Sequence, residues 1–109
     1  VKTVRVAYDG FEWDTGNLAK CQQHGLAIRE IETFFEQLLL IVPDTRHSQA
    51  EERFIAVGRS ATKRPLFVAF TMRPQRRGTR LRVISARYMH TKEVVAYETL
   101  RRKITDETA

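Results

Sequence analysis

Cysteine is nearly absent from this 109-residue chain. Cys21 stands alone, so no intrachain disulfide can form, and a single thiol fits the reducing cytoplasm better than the cell exterior. Long apolar runs are missing too. Even residues 38–42, a run none exceeds, fall far short of the ~20 residues that span a bilayer. The first ten residues, VKTVRVAYDG, lack the apolar stretch of a secretory signal. No internal repeat or low-complexity tract occurs, and 109 residues leave room for one core. These absences exclude a membrane-spanning protein, a disulfide scaffold, a repeat array and a multidomain enzyme. A single cytoplasmic domain over residues 1–109 is expected.

What is abundant is positive charge, and arginine above all. Lysine plus arginine number 19 against 13 acids, and 14 of the 19 are arginine. Residues 1–52 carry a net charge of −4 and residues 53–109 carry +10. Arginine is the side chain suited to bidentate phosphate contacts, so a small domain with this asymmetry is a candidate for binding nucleic acid or an acidic partner. The competing reading is a solubilising surface.

The patterning predicts an α+β domain: a small antiparallel sheet with two N-terminal helices and a C-terminal helix, the helices packed on one sheet face. Residues 4–8 and 10–13 read as extended. Asp14 is placed to cap a helix running to about His24, with Gly25 as its stop. Ile28, Ile31, Phe35 and Leu38, widened by Phe34, make the stripe of a second helix. Residues 39–42, 53–58, 66–72 and 80–86 read as strands, with a polar loop at 45–50. Thr91 can cap a last helix whose stripe is Val94, Tyr97, Leu100 and Ile104. Residues 105–109 are expected to fray.

Strand alternation sharpens the arginine signal. Arg53, Ile55, Val57 and Arg59 share a face, as do Phe67, Ala69, Thr71 and Arg73. In the last strand Leu81, Val83, Ser85 and Arg87 fall in phase, which puts Arg80 and Arg82 on the other side with Ile84. Each strand thus ends in an arginine on a mostly apolar face. Such charges either converge on an anion such as a phosphate or snorkel at the sheet rim. His24, His47 and His90 can carry protons near neutral pH, as can Glu51 and Glu52. A metal site is not expected: Cys21 and His24 have the spacing of half a zinc site, with no second half. No glycine-rich phosphate loop, nucleophile elbow or dinucleotide fingerprint is present, and no cofactor is expected.

The segments FEWD (11–14), GN (16–17), KC (20–21) and HG (24–25) resemble the opening of BrnT-type toxins. EERFIAVGRS (51–60), RPLFVAFTMR (64–73), RLRVISARYM (80–89) and KEVVAYE (92–98) resemble the rest of that family's core. The resemblance implies a RelE-like fold and a type II toxin–antitoxin toxin, an endoribonuclease that stops translation. It also implies a BrnA-like ribbon-helix-helix antitoxin, a heterotetramer, and DNA contact only through that antitoxin. It puts function on Lys20, His24, Glu52, Arg53, Arg59, Ser85 and Arg87. Two departures are visible. Gln23 stands where the family usually has lysine, and Ala27 stands where a serine usually opens the second helix. Residues 1–9 form an extension before the usual start.

The chemistry implied is attack of a ribose 2′-hydroxyl on the adjacent phosphorus without a metal ion. Arg59 and Arg87 are expected to hold the phosphate, with His24 or Glu52 carrying the proton. Lys20, Arg53, Arg73, Ser85, Tyr88 and His90 are expected to bind RNA. Two alternatives remain at this level: a non-enzymatic RNA- or ribosome-binding module, and an interaction protein that uses the same basic face for an acidic partner.

Overall fold

The computed structural model describes residues 3–47 and 50–108. Ser48 and Gln49, inside the predicted 45–50 loop, lie outside the described residues, as do Val1, Lys2 and Ala109. The architecture is α+β. The strands are β1 (Thr3–Val4), β2 (Gly10–Phe11), β3 (Leu39–Pro43), β4 (Arg53–Arg59), β5 (Pro65–Pro74) and β6 (Thr79–Tyr88). The helices are α1 (Leu18–Gln22), α2 (Ile28–Phe34) and α3 (Thr91–Thr108). The sheet order is β1-β3-β4-β5-β6-β2. All pairs are antiparallel except β2 with β6, so the sheet is mixed and not purely antiparallel.

One face of the sheet carries the core. Ala56, Leu66, Val68, Phe70, Leu81, Val83 and Ala86 meet Cys21, Leu26, Ile31, Phe34 and Phe35 from the α1–α2 layer, all at most 2% exposed. Phe35 stands edge-on to both Phe34 and Phe70. The approach of α2 to the sheet is close at Gly58. A Cβ there would lie 2.5 Å from Leu39 Cδ2 and 3.2 Å from Phe34 Cε2, so only glycine fits beneath them.

Residues 4–10 run from β1 at one sheet edge to β2 at the other. They cross the core face, where Val6 and Tyr8 pack against the core. Asp9 fastens this strap at the far edge: its amide donates to the Thr79 carbonyl at 2.8 Å, and its carboxylate accepts from the Thr79 amide at 2.6 Å. Thus the extension closes the open side of the core, a role its sequence does not disclose.

Four local expectations need correction. First, α1 begins at Leu18 and not after Asp14. Asp14 accepts from the Gly16 amide, and its carbonyl receives the Asn17 and Leu18 amides, so it makes a turn one step before the helix. Second, α2 ends at Phe34, which leaves Leu38 54% exposed and outside the stripe. Third, α3 is entered at His90, whose carbonyl accepts the Val94 amide and whose amide donates to Glu93; Thr91 is already helical. The helix also continues beyond residue 105 to Thr108. Fourth, the helices do not share a face, because α3 lies across the sheet from α1 and α2.

The start of α2 yields a prediction. Ala27 is its N-cap, with extended backbone, and Glu30 Oε1 accepts the Ala27 amide at 3.2 Å. Alanine offers no oxygen in return, so a helix amide goes without its side-chain acceptor. Ala27→Ser should complete the box and stabilise the fold by about 1 kcal/mol, read as a higher denaturant midpoint at unchanged slope.

Candidate functional site

A bulge in β6 decides where the arginines go. Ala69 pairs with Ser85 and Phe70 with Val83, so Ile84 has no partner on β5. The extra residue shifts the alternation by one. Leu81 and Val83 face the core, and after the bulge Ala86 faces it too. Ser85 and Arg87 therefore join Arg80 and Arg82 on the opposite face. The expected separation of Arg87 from Arg80 and Arg82 is overturned by this single residue. Arg53, Arg59 and Arg73 share that same face through the β4–β5 register. The face carries two clusters, one at each end of the strands.

The first cluster sits under α3. Arg59 closes β4, Arg87 lies two strands away on β6, and Val57 and Phe67 form an apolar bed between them. The Arg87 guanidinium rests over the Phe67 ring, 4.7 Å from its centre. It also grips Glu93 with a two-pronged bond, Nη1 to Oε1 at 2.8 Å and Nη2 to Oε2 at 2.9 Å. Arg59 pairs with Glu98 through Nη2 alone. Its Nε is buried with no hydrogen-bond partner among the described residues. His90 Nδ1 lies 3.5 Å from Glu93 Oε1, and its ring is largely exposed. Tyr97 lies over the bed, and burial pushes its phenol pKa up.

Glu93 makes this end of the molecule acid-sensitive. The Arg87 guanidinium and then the His90 amide hold its carboxyl at about 2, against an ordinary 4.5. The pair's stabilisation is therefore complete above pH 4.5 and is lost as the pH falls toward about 2. Acidification through that window should loosen α3 from the sheet, seen as faster amide exchange in residues 91–104. Glu93→Gln should exchange fast already at pH 6 and respond little to acid.

The second cluster lies at the other end, about 20 Å along β4 by the strand rise. One oxygen of Glu12 bridges Arg73 (2.5 Å) and Arg82 (3.0 Å). Arg73 also grips Glu51, and Arg82 grips Asp14 with two prongs. These bonds push both guanidinium pKa values up and hold Asp14 and Glu51 below the usual carboxylate range. Beneath them Thr71 is 1% exposed and donates to the Glu52 carbonyl. Asn17 pins the segment that carries Glu12 and Asp14. Its Nδ2 donates to the Glu12 and Val83 carbonyls, at 3.0 and 2.7 Å, and its Oδ1 accepts the Asp14 amide at 2.9 Å.

The structure thus divides the residues singled out by sequence. Arg59, Arg87 and His90 gather at the α3 end, and Tyr88 lies beside them on the core side, stacked under Arg64. Arg53 and Arg73 stand at the far end, and Ser85 lies between. Glu52 precedes Arg53, a full strand from Arg59, while its neighbour Glu51 is the carboxylate that meets the arginines. Lys20 is on α1 and His24 just past its end, both exposed, and among the described residues neither meets Arg59 or Arg87. Glu51, a candidate proton carrier by sequence, serves here as an ion-pair partner of Arg73, whereas Glu12, Asp14, Arg82, Glu93 and Glu98 are not among the candidates of the sequence. Only Glu12 and Asp14 had a usable signal, since they alternate about Trp13 and so fall on one side of an extended segment.

A small α+β domain with six arginines on one sheet face belongs among proteins built to hold polyanions. Among the described residues no helix is long and apolar enough to cross a membrane. The family model for the ribonuclease toxin BrnT of type II toxin–antitoxin systems matches residues 13–93, and the chain belongs to that family. It is a toxin of the type II class with ribonuclease activity, with RNA as its substrate and an antitoxin as its partner. No curated protein matches the chain.

Proposed function

We propose that this toxin cleaves RNA without a metal ion, with the scissile phosphate seated at the α3 end of the arginine face. The observation that carries this reading is the two-pronged Arg87–Glu93 bond beside Arg59, on the apolar bed of Val57 and Phe67. A carboxylate there occupies the fork that two phosphate oxygens would take. Arg59, held by Glu98 through Nη2 only, keeps Nη1 for an incoming oxygen. The 2′-oxygen bonds to phosphorus, the bond to the 5′-oxygen breaks, and a cyclic phosphate remains. The two guanidiniums offset the charge that grows on the non-bridging oxygens. His90, exposed and beside Glu93, takes the proton of the 2′-hydroxyl and delivers it to the departing 5′-oxygen. His24 and Glu52, with Lys20, Arg53, Arg73, Ser85 and Tyr88, hold RNA outside the reacting atoms.

Among the described residues no three His, Cys, Asp or Glu side chains are grouped to hold a metal ion, so arginine is the cation at hand. The antitoxin in this reading is BrnA-like, with a ribbon-helix-helix part, and forms a heterotetramer. Cleavage inhibits translation in the cytoplasm.

The test is cleavage of a short RNA by the purified chain in EDTA. Activity should persist and leave 2′,3′-cyclic phosphate ends. Activity lost in EDTA and restored by magnesium would overturn the mechanism, as would RNA binding with no cut ends.

A further inference from the structure

On the β3 side of α3 the sheet face holds a second feature, a cleft of about 240 Å³. Leu40 and Val57 form its floor, and Gln37, Arg59, Tyr97 and Arg101 supply its polar wall. Small-molecule sites usually run from ~300 to 1,000 Å³. This cleft is smaller, the size for one planar ring system and not for a nucleotide chain. Its polar groups are few and fixed. Gln37 Nε2 donates to the Arg59 carbonyl at 2.6 Å. That bond locks the amide, and Gln37 Oε1 has no hydrogen bond among the described residues. On Arg59, Nη2 is taken by Glu98 and Nε is closed off, which leaves Nη1 as the donor that can face the cleft. A locked acceptor and a spare donor on linked residues present a fixed polar edge to a ligand. Tyr97 adds an aromatic ring to the wall.

We propose that this cleft is a nucleobase subsite, which takes the base of a nucleotide next to the scissile phosphate. The placement rests on the reading that Arg59 binds that phosphate, because Arg59 lines the cleft and Val57 and Tyr97 belong to both places. Every RNA base is a flat ring whose edge sets acceptors beside donors, and it stacks on aromatic side chains. The cleft offers the complement: an apolar floor, one aromatic ring, one acceptor and one donor. Gln37 and Tyr97 are then the residues that set base preference, while Arg59 serves both base and phosphate. The exposed Leu38 stands at the margin of the cleft.

The experiment titrates the four nucleoside 5′-monophosphates, and inorganic phosphate, into the isotope-labelled chain at fixed ionic strength. At least one monophosphate should bind ten-fold or more tighter than phosphate and should shift the side-chain amide of Gln37 and the ring of Tyr97. Leu38→Trp, which fills the cleft from its exposed margin, and Gln37→Leu should each bring that monophosphate down to the level of phosphate, with thermal melts near wild type. Sequenced cut ends should show a base preference at one position, flattened in both variants. Monophosphates that bind no tighter than phosphate overturn the subsite, as do shifts confined to the Arg73–Arg82 end. The wild-type comparison decides even if a variant folds poorly. Base binding in a chain that cuts no RNA would refute the proposed chemistry and leave the subsite standing. Cutting with no base binding would do the reverse.

Discussion

Arg59→Ala should slow RNA cleavage by 10²–10³-fold and relieve toxicity, while circular dichroism and the thermal midpoint stay near wild type. Losing one donor to charge that develops in a transition state costs about 3–4 kcal/mol of activation free energy. The loss is large here because Arg59 sits on an apolar bed partly shielded from water. Its structural cost is small, because it holds Glu98 by a single bond at a part-exposed site. Arg59→Lys should recover little, since an ammonium cannot reproduce the fork. Arg87→Ala should cost a comparable factor, but it also frees Glu93 and the first turn of α3, so its melt should fall as well. Arg80→Ala is the control. It shares the arginine face, contrary to the simple alternation of β6, but it stands exposed at the far end. Equal mild losses at Arg59, Arg87 and Arg80 would describe a diffuse binding surface and sink the catalytic assignment.

Asn17→Ala should be the most damaging polar substitution for the fold. Asn17 is 2% exposed and makes three side-chain hydrogen bonds, one of them to β6 across 66 residues. Alanine leaves the Val83 carbonyl buried without that donor. A lost buried partner costs about 1–3 kcal/mol, so a drop of roughly 2–4 kcal/mol is expected over the three bonds. The effect should reach the surface. Without Asn17 the segment carrying Glu12 and Asp14 is no longer held against Arg73 and Arg82. A denaturant midpoint within error of wild type would show that water replaces the amide at no cost.

How much of this was legible in the sequence depended on range. The α2 stripe from Ile28 to Phe35, the β4 alternation and the β5–β6 hairpin rest on neighbours a few residues apart, and they are where the pattern puts them. The bulge at Ile84 has no local mark: no glycine or proline stands near it, and its reason is the register against Ala69 and Phe70. Because strand period is two, that one residue turned Ser85 and Arg87 over. The α3 carboxylates were hidden for a related reason. Glu93 and Glu98 are five residues apart, about 140° around a helix, so they form no stripe. They meet arginines at 87 and 59 only because α3 crosses the sheet. Lys20, His24 and Glu52 come from segments like those of the family, but likeness in sequence does not say which end of a strand a side chain will serve.

The strap imposes an order on how the molecule can come into being. Its two ends belong to strands that wait for partners made much later. Val4 pairs with Leu39, and Phe11 pairs with Leu81, seventy residues downstream. A ribosome releases those partners in sequence, at roughly 5–20 residues per second, so Phe11 has been outside for several seconds before Leu81 exists. Until then Tyr8 and Phe11 have no sheet to cover, and the arginine face lacks both its far edge and the helix that spans it. Closing such distant contacts is slow. The toxin is therefore assembled late, in one final closure of the first strands on the last, after most of its chain has left the ribosome.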